Sequence, residues 1–222
     1  MNLLPPRILI GGLFLSNRYK MKSLIVIGIA RAGKSTLAAG VARKIGAAGI
    51  PVSLMSADAL MGGLQSVKKA SFWYSWVYRP IKHLIPALSR RYKRQLGRDL
   101  AAFSRLALAE QDAVSTVIYE GCYLWPADAV RMFDPKRFKI VAIGYPNMTI
   151  EQKMADVRKY DKDSPAQKRS DERLHEYIRI AIENSRAMER ECKKYNIPFI
   201  DTSYDYRGEI KKFVDNSLEF LK

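Results

Sequence analysis

Eight consecutive residues, Gly28-Ile29-Ala30-Arg31-Ala32-Gly33-Lys34-Ser35, restrict what this chain can fold into more than any other stretch. They satisfy the pattern G-x-x-x-x-G-K-[ST] at every fixed position. Immediately before them, Lys22 to Gly28 (KSLIVIG) is a continuous apolar, β-branched run, as expected of a parallel strand buried on both faces. After them, Leu37, Ala38, Val41, Ala42 and Ile45 recur at helical spacing between Lys34 and Ala48, and Gly49 stands where the helix should stop. A strand, a glycine-rich turn and a helix in this order present backbone N–H groups and a helix N-terminus to a phosphate. Gly28, Ala30, Arg31, Ala32 and Gly33 supply the wrapping backbone, and Thr36 stands with Ser35 in the first turn of the helix. Lys34 adds a full charge at the β and γ phosphates of a nucleoside triphosphate, ATP or GTP, and the Ser35 hydroxyl is a ligand for Mg2+.

Further strands are predicted at Pro51 to Ser56, Ser115 to Tyr119 (STVIY), Phe138 to Gly144 (FKIVAIG) and Ile197 to Ile200, with helical segments between them. This alternation implies right-handed crossovers and an α/β fold: a mostly parallel five-stranded sheet between helix layers, with the ligand at the carboxyl ends of the strands. Two connections are long, Ala59 to Asp112 and Asn147 to Tyr195, and both read as helical. Within the latter, Lys159 to Ser170 (KYDKDSPAQKRS) is polar and holds Pro165, which predicts a mobile hairpin between two helices.

The 222 residues fit one domain of ordinary size, and a 48% hydrophobic, 27% charged composition is that of a soluble globular chain. Residues 1–20 read as an N-terminal extension outside the fold, which spans 21–222. Their apolar run Ile8 to Leu15 holds Gly11 and Gly12, lacks the flanks of an export signal and is too short to span a bilayer. A cytoplasmic protein without a transmembrane segment is expected. Cys122 and Cys192 have neither close spacing nor a His pair, so both are read as reduced and structural. His83 and His175 are isolated and receive no role.

From about Met21 to Lys222 the sequence resembles the P-loop kinase group that includes nucleoside and nucleotide kinases, shikimate and gluconate kinases, zeta toxins and polynucleotide kinases. The phosphate loop carries that resemblance. It implies a three-layer P-loop NTPase with a helical acceptor-side insertion and a lid, and it implies roles for three further regions. Asp58, in Ser56-Ala57-Asp58 after the second strand, matches the acidic residue that activates or orients the acceptor hydroxyl; it can equally cap the helix from Ala59 onward. Glu120, at the end of STVIY, matches the acidic residue of the magnesium shell, where Asp is the commoner choice. Arg158, with Arg169 and Arg173 on the returning side, matches lid arginines that neutralise charge on the transferred group. Asp201-Thr202-Ser203 lies where related kinases pass the adenine, with capping of the final helix as the simpler role for Asp201.

Lys and Arg number 38 against 22 Asp and Glu, a net charge of +16, which favours polyanionic partners. Between Ala59 and Arg98 no acidic residue occurs, while Lys68, Lys69, Arg79, Lys82, Arg90, Arg91, Lys93, Arg94 and Arg98 are basic. Phe72-Trp73-Tyr74-Ser75-Trp76-Val77-Tyr78 places aromatics beside them. A positive field in this insertion, 66–98, suits an anionic small-molecule acceptor. The aromatics also suit stacking on a single-stranded nucleic acid or contact with a membrane surface, although such clusters are more often core or oligomer contacts. Three functions follow in order: an ATP-dependent phosphotransferase acting on an anionic or nucleoside-like small molecule, a 5'-polynucleotide kinase-like enzyme, and a nucleotide-dependent binding or regulatory protein.

Overall fold

The computed structural model describes residues 21–69, 99–100, 103–108, 110–122, 124–161, 164 and 166–222. The expected extension at 1–20, the core of the basic insertion at 70–98 and Pro165 lie outside the described residues. In chain order the elements are β1 (Ser23–Gly28), α1 (Lys34–Ala47), β2 (Val52–Ser56), α2 (Ala57–Lys69), β3 (Thr116–Gly121), α3 (Pro126–Met132), β4 (Phe138–Gly144), α4 (Ile150–Tyr160), α5 (Asp171–Tyr195), β5 (Phe199–Asp201) and α6 (Tyr206–Phe220). A further helical segment covers 103–108.

The sheet order is β2-β3-β1-β4-β5, with every neighbouring pair parallel. β1 and β3 are buried along their whole length, which is why their central residues, LIVI and VIY, are apolar without alternation. Edge strand β2 is only partly buried, and edge strand β5 is three residues long. From β1 the chain crosses to one side to reach β2, and from β3 it crosses to the other side to reach β4. Right-handed crossovers in opposite directions place α1 and α3 on opposite faces of the sheet. α6 joins α1, while α5 packs with α3 against β4. This is the three-layer α/β arrangement expected of a P-loop NTPase.

Local chemistry fixes the element ends. Thr149 and Gln152 form a reciprocal capping box at the start of α4, the Thr149 side chain accepting from the Gln152 N–H and the Gln152 side chain from the Thr149 N–H. Gly49 follows α1 in the left-handed region, φ 75°, as a helix stop requires. The last strand begins two residues later than its sequence suggests. Asn196 adopts φ 53° and the Ile197 N–H still bonds to the Cys192 carbonyl, so Ile197 belongs to the closure of α5.

At the amino-terminal edge of the sheet, away from the phosphate loop, one buried carboxylate ties three strands. The Ser23 hydroxyl donates to Asp112 Oδ1 at 2.6 Å and accepts from the Val117 N–H at 2.8 Å. Arg137, just before β4, donates to Asp112 Oδ2 through Nε at 2.9 Å and Nη2 at 2.5 Å. Asp112→Ala leaves Ser23 and Arg137 without their shared acceptor. It should cost about 2–4 kcal/mol and lower the melting midpoint by roughly 5–10 °C, read by calorimetry.

Candidate active site

The loop between β1 and α1 is shaped by two close approaches. A Cβ on Gly28 would lie 2.3 Å from the Ile143 carbonyl oxygen of β4, so only glycine lets the strand end turn there. The Ile29 N–H then bonds to that same carbonyl at 3.2 Å. Gly33 has φ 102°, and a Cβ on it would lie 2.7 Å from Tyr206 Cε2. Arg31 also adopts the left-handed region, φ 63°. Alternation of right- and left-handed residues curls successive N–H groups toward one concave side, which is a nest for an anion. No acidic residue occupies the first turn of α1 to oppose a phosphate.

Lys34 is buried within this curl, and its Nζ donates to the Ile29 carbonyl at 2.9 Å. Ser35 and Thr36 are exposed on the first turn of α1, and the Tyr206 hydroxyl of α6 bonds to Thr36 Oγ1 at 3.1 Å. All the loop residues expected from the sequence therefore sit together at the carboxyl end of β1.

β3 ends beside them. Glu120 pairs in register with Val26 of β1 and Ser56 of β2, is only 4% exposed, and its Oε2 has no hydrogen-bond partner among the described residues. A bare carboxylate oxygen in so dry a place calls for a cation or a proton donor from a ligand. With the Ser35 hydroxyl it offers the oxygen donors that Mg2+ prefers. Among the described residues no group of three His, Cys, Asp or Glu side chains converges to hold a metal without help from a ligand.

Asp58 reaches the same end of the sheet because Gly121 has no side chain. A Cβ there would lie 2.3 Å from Ala57 Cβ, so α2 starts in direct contact with β3. The helix begins at Ala57, two residues earlier than a capping role for Asp58 requires. Asp58 is an exposed member of the first turn rather than the cap. Its carboxylate accepts from the Cys122 thiol at 3.5 Å. Burial pushes that thiol up to about 11, the Asp58 charge adds to the shift, and Lys34 opposes it. Asp58, Cys122 and Lys34 thus share one electrostatic environment. Cys122 and Cys192 are both free thiols.

On the side expected to form a lid, the arginines are engaged with the protein itself. Arg158 donates to the Gln167 carbonyl, to the Arg169 carbonyl at 2.9 Å and to Asp171 Oδ1 at 2.5 Å, while Gln167 Nε2 returns a bond to the Arg158 carbonyl. Its fork braces the turn between α4 and α5. Arg169 lies over the Tyr177 ring, 4.7 Å from the centroid, and Arg173 is exposed on α5. Arg31 links the loop to the end of α4 and to α5. It pairs with Asp161 at the end of α4 and donates to the Tyr177 hydroxyl at 3.1 Å. Burial acts to lower its pKa, but Asp161 and Tyr177 more than compensate and raise it.

Sequence reasoning missed a second lysine behind the loop. Lys153 of α4 is 7% exposed and donates to the Arg31 carbonyl at 3.0 Å, with its ammonium 4.2 Å from the Tyr145 ring centroid. Tyr145, 1% exposed, donates its hydroxyl to the Ala30 carbonyl at 2.9 Å. The available signal was a lysine on the buried face of α4, one turn before Val157, where helical spacing asks for an apolar residue.

Beyond β4 and β5, Asp201 accepts from the Ser203 N–H at 2.9 Å and from Asn147 Nδ2 at 2.7 Å, joining the two loops. It does not cap the final helix; Asp205 does, accepting from the Gly208 N–H at 2.8 Å.

No protein-family model matches the sequence, and no curated protein matches it. Solved structures do. The chain is similar in structure to a shikimate kinase from Bacteroides thetaiotaomicron, at 18% identity and a TM-score of 0.48 over 90% of this chain and 98% of that one. It is also similar to a shikimate kinase from Acinetobacter baumannii in complex with shikimate, at 14% identity and a TM-score of 0.49, over 90% and 94% of the two chains. A gluconokinase from Sinorhizobium meliloti matches at 12% identity and a TM-score of 0.47, over 91% and 94%.

Proposed function

We propose that this protein is an ATP-dependent phosphotransferase that moves a γ-phosphoryl group to a hydroxyl or phosphate of a small anionic or nucleoside-like acceptor, in the cytoplasm. The observation that carries the proposal is the conjunction at one sheet end of a phosphate nest, a buried lysine and a buried carboxylate oxygen without a partner among the described residues.

In this reading the loop amides take the β and γ phosphates, and Lys34 exchanges the Ile29 carbonyl for phosphate oxygens. Ser35 and Glu120 would hold Mg2+, which would supply positive charge to the transferring phosphates. Asp58, at the exposed mouth, accepts the proton of the acceptor hydroxyl. The acceptor oxygen bonds to the γ-phosphorus as its bond to the β–γ bridging oxygen breaks, and ADP leaves with the electron pair. Arg158 meets the transferred charge only by giving up its bonds to the lid turn; as placed, it orders that turn. The basic, aromatic segment at 70–98 gives specific weight to a polynucleotide 5' end as an alternative acceptor. A screen of phosphorylated metabolites, nucleosides and oligonucleotides with labelled ATP separates the two. Nucleotide-dependent association without any phosphorylated product would instead identify a binding or regulatory protein.

Lys34→Ala should weaken Mg·ATP binding by about 10- to 150-fold, the value of one charge-assisted hydrogen bond, as measured by titration calorimetry. Asp58→Ala should lower the transfer rate by about 10²- to 10⁴-fold while leaving the Kd for Mg·ATP within about threefold. Loss of nucleotide binding in that variant would contradict a role confined to the acceptor. Asp58→Asn removes the charge that helps hold the Cys122 thiol up, so alkylation of Cys122 by iodoacetamide at pH 8 should accelerate, detected by mass spectrometry of the modified peptide. Unchanged alkylation would mean that Asp58 and Cys122 do not meet.

A further inference from the structure

A peptide unit that turns its N–H toward a phosphate turns its carbonyl the opposite way, because the trans plane fixes the two groups antiparallel. A phosphate nest therefore creates a second requirement on its convex side, where the outward carbonyls need donors if they are buried. In this protein, which has no cis peptide bond among the described residues, the carbonyls of Ala30 and Arg31 face outward together. They are met by the Tyr145 hydroxyl and the Lys153 ammonium. The same two peptides carry the N–H groups of Arg31 and Ala32, and the Ala32 N–H points to the inner side, reaching the Ile29 carbonyl that also receives Lys34.

Lys153 is an unexpected choice for packing alone. The adjacent buried position of α4, Val157, is apolar, and a methionine or leucine would fill the same face. Burial also penalises an ammonium, and its pKa is lowered by that burial, with Asp156 opposing the shift. What offsets the penalty is a carbonyl at 3.0 Å, an aromatic face at 4.2 Å and the fields of Asp156 and Asp161. Tyr145 is itself immobilised: its N–H donates to Ser185 Oγ at 2.7 Å, and Gly144 before it leaves no room for a Cβ against that same oxygen. Both donors thus come from rigid supports, the end of β4 and the buried face of α4.

Building on the phosphotransferase reading, we propose that Lys153 and Tyr145 are positioning residues for the triphosphate, holding the Ala30 and Arg31 peptides in their anion-facing orientation and placing a second positive charge behind the loop. They touch the loop backbone and not the nucleotide. The effect belongs to the phosphates and is independent of the base.

The test is titration calorimetry of the full chain with Mg·ATP and, separately, with magnesium tripolyphosphate, alongside the melting midpoint without ligand. Lys153→Met should weaken both ligands by about tenfold or more, Tyr145→Phe should weaken both by about fivefold, and Lys153→Arg, which keeps a charged donor, should recover most of the loss. Should Lys153→Met fail to fold, the smaller Tyr145→Phe change and the Lys153→Arg variant decide the matter by the same two ligands. Wild-type affinity in Lys153→Met, or a loss confined to Mg·ATP with tripolyphosphate unaffected, overturns the proposal and leaves the phosphotransferase reading intact. A wild-type chain that binds neither ligand overturns both.

Discussion

The constraint on which the rest of the site depends is that backbone amides must converge on an anion without stranding the carbonyls attached to them. In water the strain would be relieved by hydration, but this loop lies between β1, β4 and two helices. The protein resolves it with residue types that admit little substitution. Gly28 takes the close approach to Ile143, Gly33 takes a left-handed turn under Tyr206, and buried donors meet the outward carbonyls. Lys34 and the Ala32 N–H close the inner side on the Ile29 carbonyl.

Polar groups are buried at both ends of the sheet, and they differ in kind. At the amino-terminal edge Asp112 is surrounded by Ser23 and Arg137, and the cluster serves to align three strand starts. At the carboxyl edge Glu120 is buried to a similar degree yet keeps an oxygen without a partner among the described residues. A fully paired carboxylate stabilises; an incompletely paired one stores affinity for something else. The contrast separates scaffold from site within one sheet.

Much of this was legible in the sequence, for identifiable reasons. Buried central strands require unbroken apolar runs, so β1, β3 and β4 stood out, and β4 was read to its final residue. The phosphate loop was legible because its glycines answer to close backbone contacts rather than to packing. Edge strand β5 was misplaced because its signal, Ile197 to Ile200, includes a residue that the helix closure claims first. Asp58 stood one residue inside its helix because Ala57, pressed onto Gly121, begins the helix early. The partners of Arg158 and Arg31 were not legible: an arginine's reach is long, and its partner depends on which carboxylates the tertiary fold brings near. Asp171 took one and Asp161 the other. Lys153 was invisible because a lysine on a charged helix looks solvated until the neighbouring loop is built against it.

The contact between Gly121 and Ala57 couples two jobs that chemistry keeps distinct. Strand β3 carries the carboxylate proposed for the metal, and α2 carries the one proposed for the acceptor, yet the two elements meet where not even a methyl group can be inserted. They behave as a single hinge-free corner. The spacing between the two carboxylates is therefore set by this contact and not by the residues that follow α2.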